Sequence, residues 1–130
     1  MDATYETLII FDPTDKALDT NINKFKDMCQ EFSKKYKRKI KFDRLGEKKL
    51  AYKLKDKYET GYYVQIFWQG TNEDVADLER HLRIDDDVLK FMTVKNLEDV
   101  ELEELTEDDV TTTEQDKPDA LDVLLGLAHY

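Results

Sequence analysis

The sequence contains few of the residues that specialised chemistry uses. Its 130 residues include one cysteine, four glycines and two prolines, and no run of 18 apolar residues. A lone cysteine, Cys29, forms no intramolecular disulfide and suits a reducing compartment, and a chain without a long apolar run does not span a bilayer. The first ten residues lack the basic start and apolar block of a signal peptide. We therefore expect a cytoplasmic protein.

Motifs for catalysis, metal binding or nucleotide binding are also missing. There is no Cys-x-x-Cys, no His-x-x-x-His, no glycine-rich phosphate loop and no Gly-x-Ser-x-Gly. The two histidines are His81, predicted as a partly exposed helix residue, and His129. The run Asp85–Asp87 lacks EF-hand spacing, which favours a solvated turn over a metal site. Cys29 lies on an apolar stripe and is predicted to be core. We expect no catalytic residue, cofactor or metal.

Charge is divided unevenly along the chain. Residues 1–96 contain 19 Lys and Arg against 18 Asp and Glu, whereas residues 97–130 contain one lysine against 12 acids. This predicts a folded domain over 1–96 and an acidic, mostly disordered C-terminal extension over 97–130. Three interpretations of the extension stay open: a solubilising appendage, a competitor that shields a basic surface, and a docking peptide anchored by residues 121–130.

Hydrophobic periodicity predicts four strands and two helices. Strands are predicted at 4–11, 61–68 and 88–95, and apolar alternation at 40–42 resumes at 50–54, compatible with one long strand twisted or bulged near Gly46. A polar hairpin loop is predicted at 55–60. Helices are predicted from 18 to 36, capped by Thr14 or Asp15, and up to Arg83 from a capping box of Thr71 and Asp74.

This β-α-β-β-α-β order predicts an α+β fold of the ferredoxin-like, split-βαβ type. In that sandwich a four-stranded antiparallel sheet carries two helices on one face. The third strand is central, and the second and fourth strands form the edges.

The stretch GEKKLAYKLK at 46–55 combines alternating apolar residues with lysines. On a regular strand, Leu50, Tyr52 and Leu54 point to one side, and the lysines at 49, 53 and 55 point to the other. Such lysines could protect an edge strand from pairing with other sheets. They could equally form a basic ridge for RNA phosphates, flanked by tyrosines. A net charge of +1 over residues 1–96 does not separate these readings.

The same stretch closely resembles the signature of the bacterial small-subunit ribosomal protein six family. The matching residues are Gly46, Lys48, Leu50, Ala51, Tyr52 and Leu54. Tyr5-Glu6, Pro13, GYYVQIFW at 61–68 and LERHLRIDDDVLKFMTVK at 78–95 resemble other family stretches in the expected order, so the resemblance covers about residues 4–95. Two residues depart from the pattern: Lys53 replaces a usual proline, and Glu47 replaces a residue that is often basic.

The resemblance implies a non-catalytic structural constituent of the small ribosomal subunit, cytoplasmic and ribosome-bound, with no membrane or small-molecule substrate. It implies binding to the central domain of small-subunit ribosomal RNA, together with a small basic protein (number eighteen of that subunit) as a heterodimer. The implied RNA-binding residues are Lys48, Lys49, Arg80, Arg83, Lys90 and Lys95, with Tyr5 as a weaker candidate. Two alternatives on the same fold are a protein-only interaction module and an acylphosphatase-like hydrolase. The hydrolase would need an arginine in an anion-binding loop after the first strand, and DPTDKALD offers none.

Overall fold

The structure, a computed structural model, describes residues 2–96 and 111–112. Its elements are β1 (Ala3–Phe11), α1 (Leu18–Tyr36), β2 (Ile40–Leu54), β3 (Tyr58–Gly70), α2 (Asn72–Ile84), β4 (Val88–Asn96) and β5 (Thr111–Thr112). The strands lie in the order β4-β1-β3-β2-β5, and the first four are antiparallel. The predicted β-α-β-β-α-β sandwich is confirmed, with β3 inside the sheet and β2 and β4 outermost among its four long strands.

The two-residue strand β5 was not expected. Thr111 and Thr112 pair in parallel with Asp43 and Arg44 of β2, and so extend the sheet beyond its predicted edge. These two threonines belong to the acidic extension. The rest of 97–130, including the proposed anchor at 121–130, lies outside the described residues. The domain boundary at residue 96 and the disorder of the extension therefore stay predictions.

The main core lies between the sheet and the two helices. Ile22, Phe25 and Cys29 of α1 and Leu78 and Leu82 of α2 belong to one buried cluster with side chains from all four long strands. Burying one such large apolar side chain is worth about 1.5–3 kcal/mol, so this layer holds both helices on the same face. The predicted core position of Cys29 is confirmed.

The predicted cap of α1 is wrong. The residue at the N-cap position is Ala17, without a side-chain cap. The Asp15 carboxylate accepts a hydrogen bond from the Ala17 backbone N–H (2.8 Å), and the Asp15 carbonyl accepts one from that of Leu18 (3.1 Å). Thr14 is bound to the carboxylate of Asp12. Both predicted caps instead close the turn before the helix, and α1 begins at Leu18, the first residue of the predicted apolar stripe.

The capping box of α2 is confirmed. The Thr71 hydroxyl accepts from the Asp74 backbone N–H (3.2 Å), and the Asp74 carboxylate accepts from that of Thr71 (2.8 Å). Two donors that the helix would leave unpaired are thus satisfied.

A bulge in β2 changes which side chains face the helices. Phe42 lies opposite Ile66, but Gly46 lies opposite Tyr63, so Leu45 is an extra residue in the ladder. Gly46 has a φ of 90°, which glycine adopts without steric cost. Phe42 therefore joins the helix-side core, whereas Leu50, although also even-numbered, joins a second cluster. The predicted long, bulged strand is confirmed, but its two halves bury opposite faces.

The second cluster covers the sheet face that carries no helix. Its buried members are Leu8, Ile10, Leu45, Leu50, Leu54, Tyr63 and Leu89. Lys90 of β4 donates a hydrogen bond to the hydroxyl of Tyr52 of β2 (3.1 Å), although β3 and β1 separate their strands. The far half of β2 must therefore curl over this face, which we call the open face.

The β2–β3 turn is shorter than predicted. The Lys57 backbone N–H donates to the Leu54 carbonyl (3.1 Å), and Lys55 and Asp56 have φ values of 52° and 57°. Two central residues at positive φ define a type I′ turn, so residues 58–60 belong to β3 and not to a loop. No helix in the described part of the chain is long and apolar enough to cross a membrane.

Candidate nucleic-acid interface

Three of the predicted RNA-binding residues lie along one edge of the molecule, formed by α2 and β4. Arg80 and Arg83 are exposed one turn apart on α2. Arg80 pairs with Asp77 (3.2 Å), and the Arg83 guanidinium lies 5.9 Å from the ring centre of Phe91 on β4. Lys95 is exposed on β4 directly opposite Tyr5, whose side chain belongs to the helix-side core. Because opposite residues point to the same face, Lys95 emerges on the helix side too. We call Arg80, Arg83 and Lys95 the α2–β4 edge.

Two further candidates lie on the open face, each beside a tyrosine. The Lys48 ammonium lies 5.6 Å from the ring centre of Tyr63, and the Lys90 ammonium lies 5.6 Å from that of Tyr52. Both lysines are half-buried, and the ammonium nitrogen of Lys48 is itself buried from solvent. Such cation–π contacts are worth about 0.5–2 kcal/mol and fix the position of each charge.

Lys49 belongs to neither group. It is exposed and pairs with Thr60 near the end of the hairpin. Strand alternation turns it away from Lys48 and the open face. The structure thus places Arg80, Arg83 and Lys95 along the α2–β4 edge, and Lys48 and Lys90 on the open face, but it does not join the six cations into one surface.

Tyr5 is placed in the core. Its side chain is 6% exposed, its ring centre lies 5.2 Å from that of Trp68, and its hydroxyl donates to Asn72 (2.8 Å). A ring enclosed in this way offers no face for a base to stack on. We therefore remove Tyr5 from the candidate contacts and assign it to the packing of β1 against α2.

Arg44 is a cation that the fold uses internally. Its guanidinium donates to Asp19 of α1 (2.7 Å) and to the hydroxyl of Tyr62 on β3 (3.0 Å). Burial works against its charge, but these two partners outweigh burial and raise the pKa of Arg44. Arg44 therefore ties α1 to the sheet and is not a candidate for RNA contact.

A denser group of cations was missed by the site prediction. Residues 34–41, KKYKRKIK, join the end of α1 to the start of β2 and contain six Lys and Arg. Local charge density is the sequence feature that indicates this group of cations. None of its residues belongs to the stretches that carry the family resemblance. We call this segment the α1–β2 corner.

The acidic turn between α2 and β4 shows no sign of a metal site. Burial and the neighbouring carboxylates of Asp85, Asp15 and Asp86 raise the pKa of Asp87, against the effect of a backbone hydrogen bond. Within residues 2–96 and 111–112, no three His, Cys, Asp or Glu side chains are grouped as metal ligands. His81 is exposed, as predicted.

Comparisons with known proteins identify relatives of this chain. The sequence profile of the family described as Ribosomal protein S6 matches residues 4–95. The "Small ribosomal subunit protein bS6" of Sulfurovum sp. is 34% identical over 100 residues, which are 75% of this chain and 76% of that protein. The protein of the same name from Desulforapulum autotrophicum is 37% identical over 103 residues, 78% of this chain and 64% of that protein.

A solved structure shares the fold. The crystal structure of 30S ribosomal protein S6 from Thermotoga maritima superposes with a TM-score of 0.61 at 23% identity, covering 74% of this chain and 89% of that one. The relatives are ribosomal proteins and not enzymes, so this chain is not an enzyme and the hydrolase alternative is wrong. The profile match spans all four long strands and both helices, including the signature at 46–54. This chain belongs to the ribosomal protein S6 family.

Proposed function

We propose that this chain is a structural constituent of the small ribosomal subunit and binds the central domain of small-subunit ribosomal RNA. The observation that carries the proposal is the family match over residues 4–95, with relatives named as small ribosomal subunit proteins. Its action is binding without turnover. Side chains on a rigid sheet and helix neutralise phosphates and release counterions.

The α2–β4 edge is the best candidate for the main phosphate contact. Its two arginines and one lysine are exposed on regular elements. The planar guanidinium group of arginine suits bidentate contact with phosphate oxygens. Arg80 would exchange an exposed ion pair with Asp77 for RNA, and exposed pairs of this kind are worth only about 0–1 kcal/mol. Giving up that pair therefore opposes binding only weakly.

Lys48, Lys49 and Lys90 form a second candidate contact around the β2–β3 hairpin. The tyrosine contact of Lys90 holds its charge in place before RNA arrives, whereas the buried ammonium of Lys48 would have to move away from Tyr63 to reach RNA. Pre-positioned groups lose less conformational entropy on binding. These two lysines lie on a different face from the α2–β4 edge, so the proposal places RNA, or RNA and a protein partner, on two sides of the molecule.

The small basic ribosomal protein, number eighteen of the subunit, is the proposed protein partner. The charge distribution supports a basic partner, because the whole chain carries −10 and its acidic extension accounts for this excess. Opposite charges steer association and suppress incorrect partners. A basic partner would also supply positive charge that the balanced body of this chain lacks.

Fractionation of cell lysate tests the proposal. We expect the chain to sediment with small ribosomal subunits, and to be released by ribonuclease or by high salt. Absence of the chain from purified small subunits would overturn the proposal. Capture of protein partners that is insensitive to ribonuclease and salt would instead support the protein-only interaction module.

A matched pair of variants tests the α2–β4 edge. We expect Arg80→Gln/Arg83→Gln/Lys95→Gln to flatten the log–log salt dependence of RNA affinity by about 2–3, since each lost phosphate contact changes the slope by about 0.7–0.9. The control Lys16→Gln/Lys24→Gln/Lys26→Gln removes the same charge from the first half of α1 and its preceding turn. Equal effects of the two variants would show that the edge contributes only through the net charge of the protein, and not through specific phosphate contacts.

A further inference from the structure

The α1–β2 corner is the most densely basic stretch of the chain. Six of its eight residues are Lys or Arg, and none is acidic. No other eight-residue window of the sequence contains six cations. The corner lies outside the α2–β4 edge and outside the open face, so it needs an explanation of its own.

The backbone of the corner is held at both ends. Lys37 has a left-handed conformation (φ 53°), and its N–H donates to the Ser33 carbonyl. The Ser33 hydroxyl donates to the Arg38 carbonyl (2.6 Å), and the Gln69 N–H of β3 donates to the Lys39 carbonyl (3.1 Å). These bonds anchor the turn to α1 and to the sheet, so its lysines project from a fixed frame.

Four of the six cations retain uncompensated charge. Arg38 forms an ion pair with Asp2, and Lys41 approaches Asp43 at 3.7 Å. Lys34, Lys35, Lys37 and Lys39 are exposed, and none of them has an ion-pair partner among the residues that the structure describes. The corner therefore presents a local concentration of ammonium groups that attracts a polyanion.

An exposed aromatic ring lies among these lysines. Tyr36 is 50% exposed, one of three large hydrophobic side chains exposed in the described part of the chain. Its ring centre lies 5.2 Å from that of Phe32, which in turn lies 5.9 Å from that of Trp68. The Tyr36 ring thus packs against Phe32, and the Lys35 ammonium lies 5.3 Å from its centre, while half of the Tyr36 surface stays open to solvent. Proteins that bind single-stranded nucleic acid combine an aromatic ring with lysines in this way. The bases stack on the ring, and the phosphates contact the cations.

A groove beside Tyr36 indicates how a strand would lie. The groove, of about 410 Å³, runs between the helices, with Phe32 and Trp68 among its lining residues. Glu31, Lys35 and Tyr36 line it from α1, with the acid one turn before the lysine, and Asp74 and Asp77 line it from α2. Because carboxylates repel phosphates, the backbone of a bound strand would follow the lysines and turn its bases towards the groove.

We propose that the α1–β2 corner is a further RNA-binding surface of this protein, which takes a single-stranded segment. Lys34, Lys35, Lys37 and Lys39 contact phosphates, and Tyr36 stacks on an unpaired base. A paired RNA helix offers no free base face, so the open ring favours unpaired RNA over duplex. The inference rests on the proposed function and extends it to a surface that the family signature does not include.

Fluorescence anisotropy of the full chain tests the inference. The probes are a labelled single-stranded RNA of about ten nucleotides, within the usual site size, and a duplex of the same length. We expect Lys34→Gln/Lys35→Gln/Lys37→Gln/Lys39→Gln to flatten the salt dependence of single-strand affinity by about 2–3, at about 0.7 per lost contact. The matched control Lys16→Gln/Lys24→Gln/Lys26→Gln/Lys117→Gln should leave most of that slope intact.

Tyr36 variants separate stacking from charge. We expect Tyr36→Ala to weaken single-strand binding by about 5- to 150-fold, because stacking on an aromatic ring is worth about 1–3 kcal/mol per base. Tyr36→Phe keeps the ring and should keep the affinity, and neither variant should alter duplex binding. A thermal melt of each variant confirms that the fold is retained, as expected for exposed positions.

Three results would overturn the inference: no single-strand binding by the full chain, equal salt slopes for the corner and control variants, or wild-type affinity in Tyr36→Ala. These outcomes are separable from the proposed function. A chain that sediments with small subunits while its corner variants bind like the wild type disproves only the corner. A chain absent from the subunits disproves the proposed function itself.

Discussion

Cys29 shows how burial alone sets the reactivity of a single residue. Its side chain is 4% exposed in the helix-side core, and burial raises the pKa of the thiol to about 12. Only the thiolate attacks disulfide reagents, so we expect Cys29 to resist labelling by a dithiobenzoate reagent at pH 8 in the native protein. In urea it should be labelled promptly. Rapid labelling without denaturant would contradict the core position.

The same pKa predicts a loss of stability in alkali. The unfolded chain releases the Cys29 proton near pH 8.5–9, about where free cysteine titrates, whereas the folded chain retains it until near pH 12. Stability should therefore fall between these limits as pH rises, by up to about 1.4 kcal/mol per pH unit, with no effect well below pH 8. Urea unfolding at pH 8 and pH 10 checks this. The wild type should lose more than Cys29→Ala, and equal losses would assign the effect to other groups.

Lys37 occupies a backbone position that usually belongs to glycine. It follows the last turn of α1 with φ 53°, which a side chain makes costly. We expect Lys37→Gly to raise the free energy of unfolding by about 0.5–1 kcal/mol, and Lys37→Ala, which keeps a Cβ, to leave it nearly unchanged. Urea denaturation measures both. If the corner binds RNA, Lys37→Gly should strengthen the fold and weaken binding together, a pair of effects that general damage would not produce.

Among the secondary-structure elements, α2 depends on its capping box. Thr71→Ala removes the acceptor for the Asp74 N–H and should lower the free energy of unfolding by about 0.5–2 kcal/mol. Thr71→Ser keeps the hydroxyl and serves as the control. Urea denaturation of the three proteins checks this, and an equal loss in both variants would show that the threonine methyl group, and not the cap, is responsible.

Helices and strands with strong local signals could be predicted from the sequence, but their caps and boundaries could not always be predicted. The spacing of three and four from Leu18 to Tyr36 predicts both ends of α1, but its predicted N-cap is wrong because Asp15 accepts hydrogen bonds within the turn before it. The β2–β3 turn has Lys55 and Asp56 at positive φ, without the Asn-Gly pair that commonly indicates a type I′ turn. At these places the sequence showed which residue types were present, but not which of the competing local structures they would form.

For the whole molecule, the arrangement of the candidate site depended on features that a sequence does not show. One extra residue at the β2 bulge changes which face the next side chains occupy, a second register shift lies between Lys49 and Leu54, and the curled hairpin brings Tyr52 to Lys90. Tyr5 is internal because Trp68 and Asn72 enclose it. The charge density at 34–41 can be read directly from the sequence. The exposure of Tyr36 beside those lysines depends on how α1 packs.

Removal of residues 97–130 should change the net charge of the protein without changing the stability of its fold. Both buried clusters consist of residues between 3 and 94, so we expect a chain ending at Asn96 to retain its stability within about 0.5 kcal/mol, as for most surface changes. Its net charge changes from −10 to +1, which should raise RNA affinity at low salt and less so at high salt. Urea denaturation and RNA titration measure the two effects. Unchanged affinity would exclude the competitor interpretation of the extension.

The bulge at Leu45 also limits how this part of the gene can vary. Because strand side chains alternate with a period of two, loss of one codon between Gly46 and Leu50 would turn Leu50 away from Ile10, whereas loss of Leu45 itself would remove the bulge and keep the register. Exchange of one amino acid for another disturbs only its own site, but a change of length reverses the whole segment. We therefore expect related genes to differ in sequence, but to agree in length, between Gly46 and Leu54.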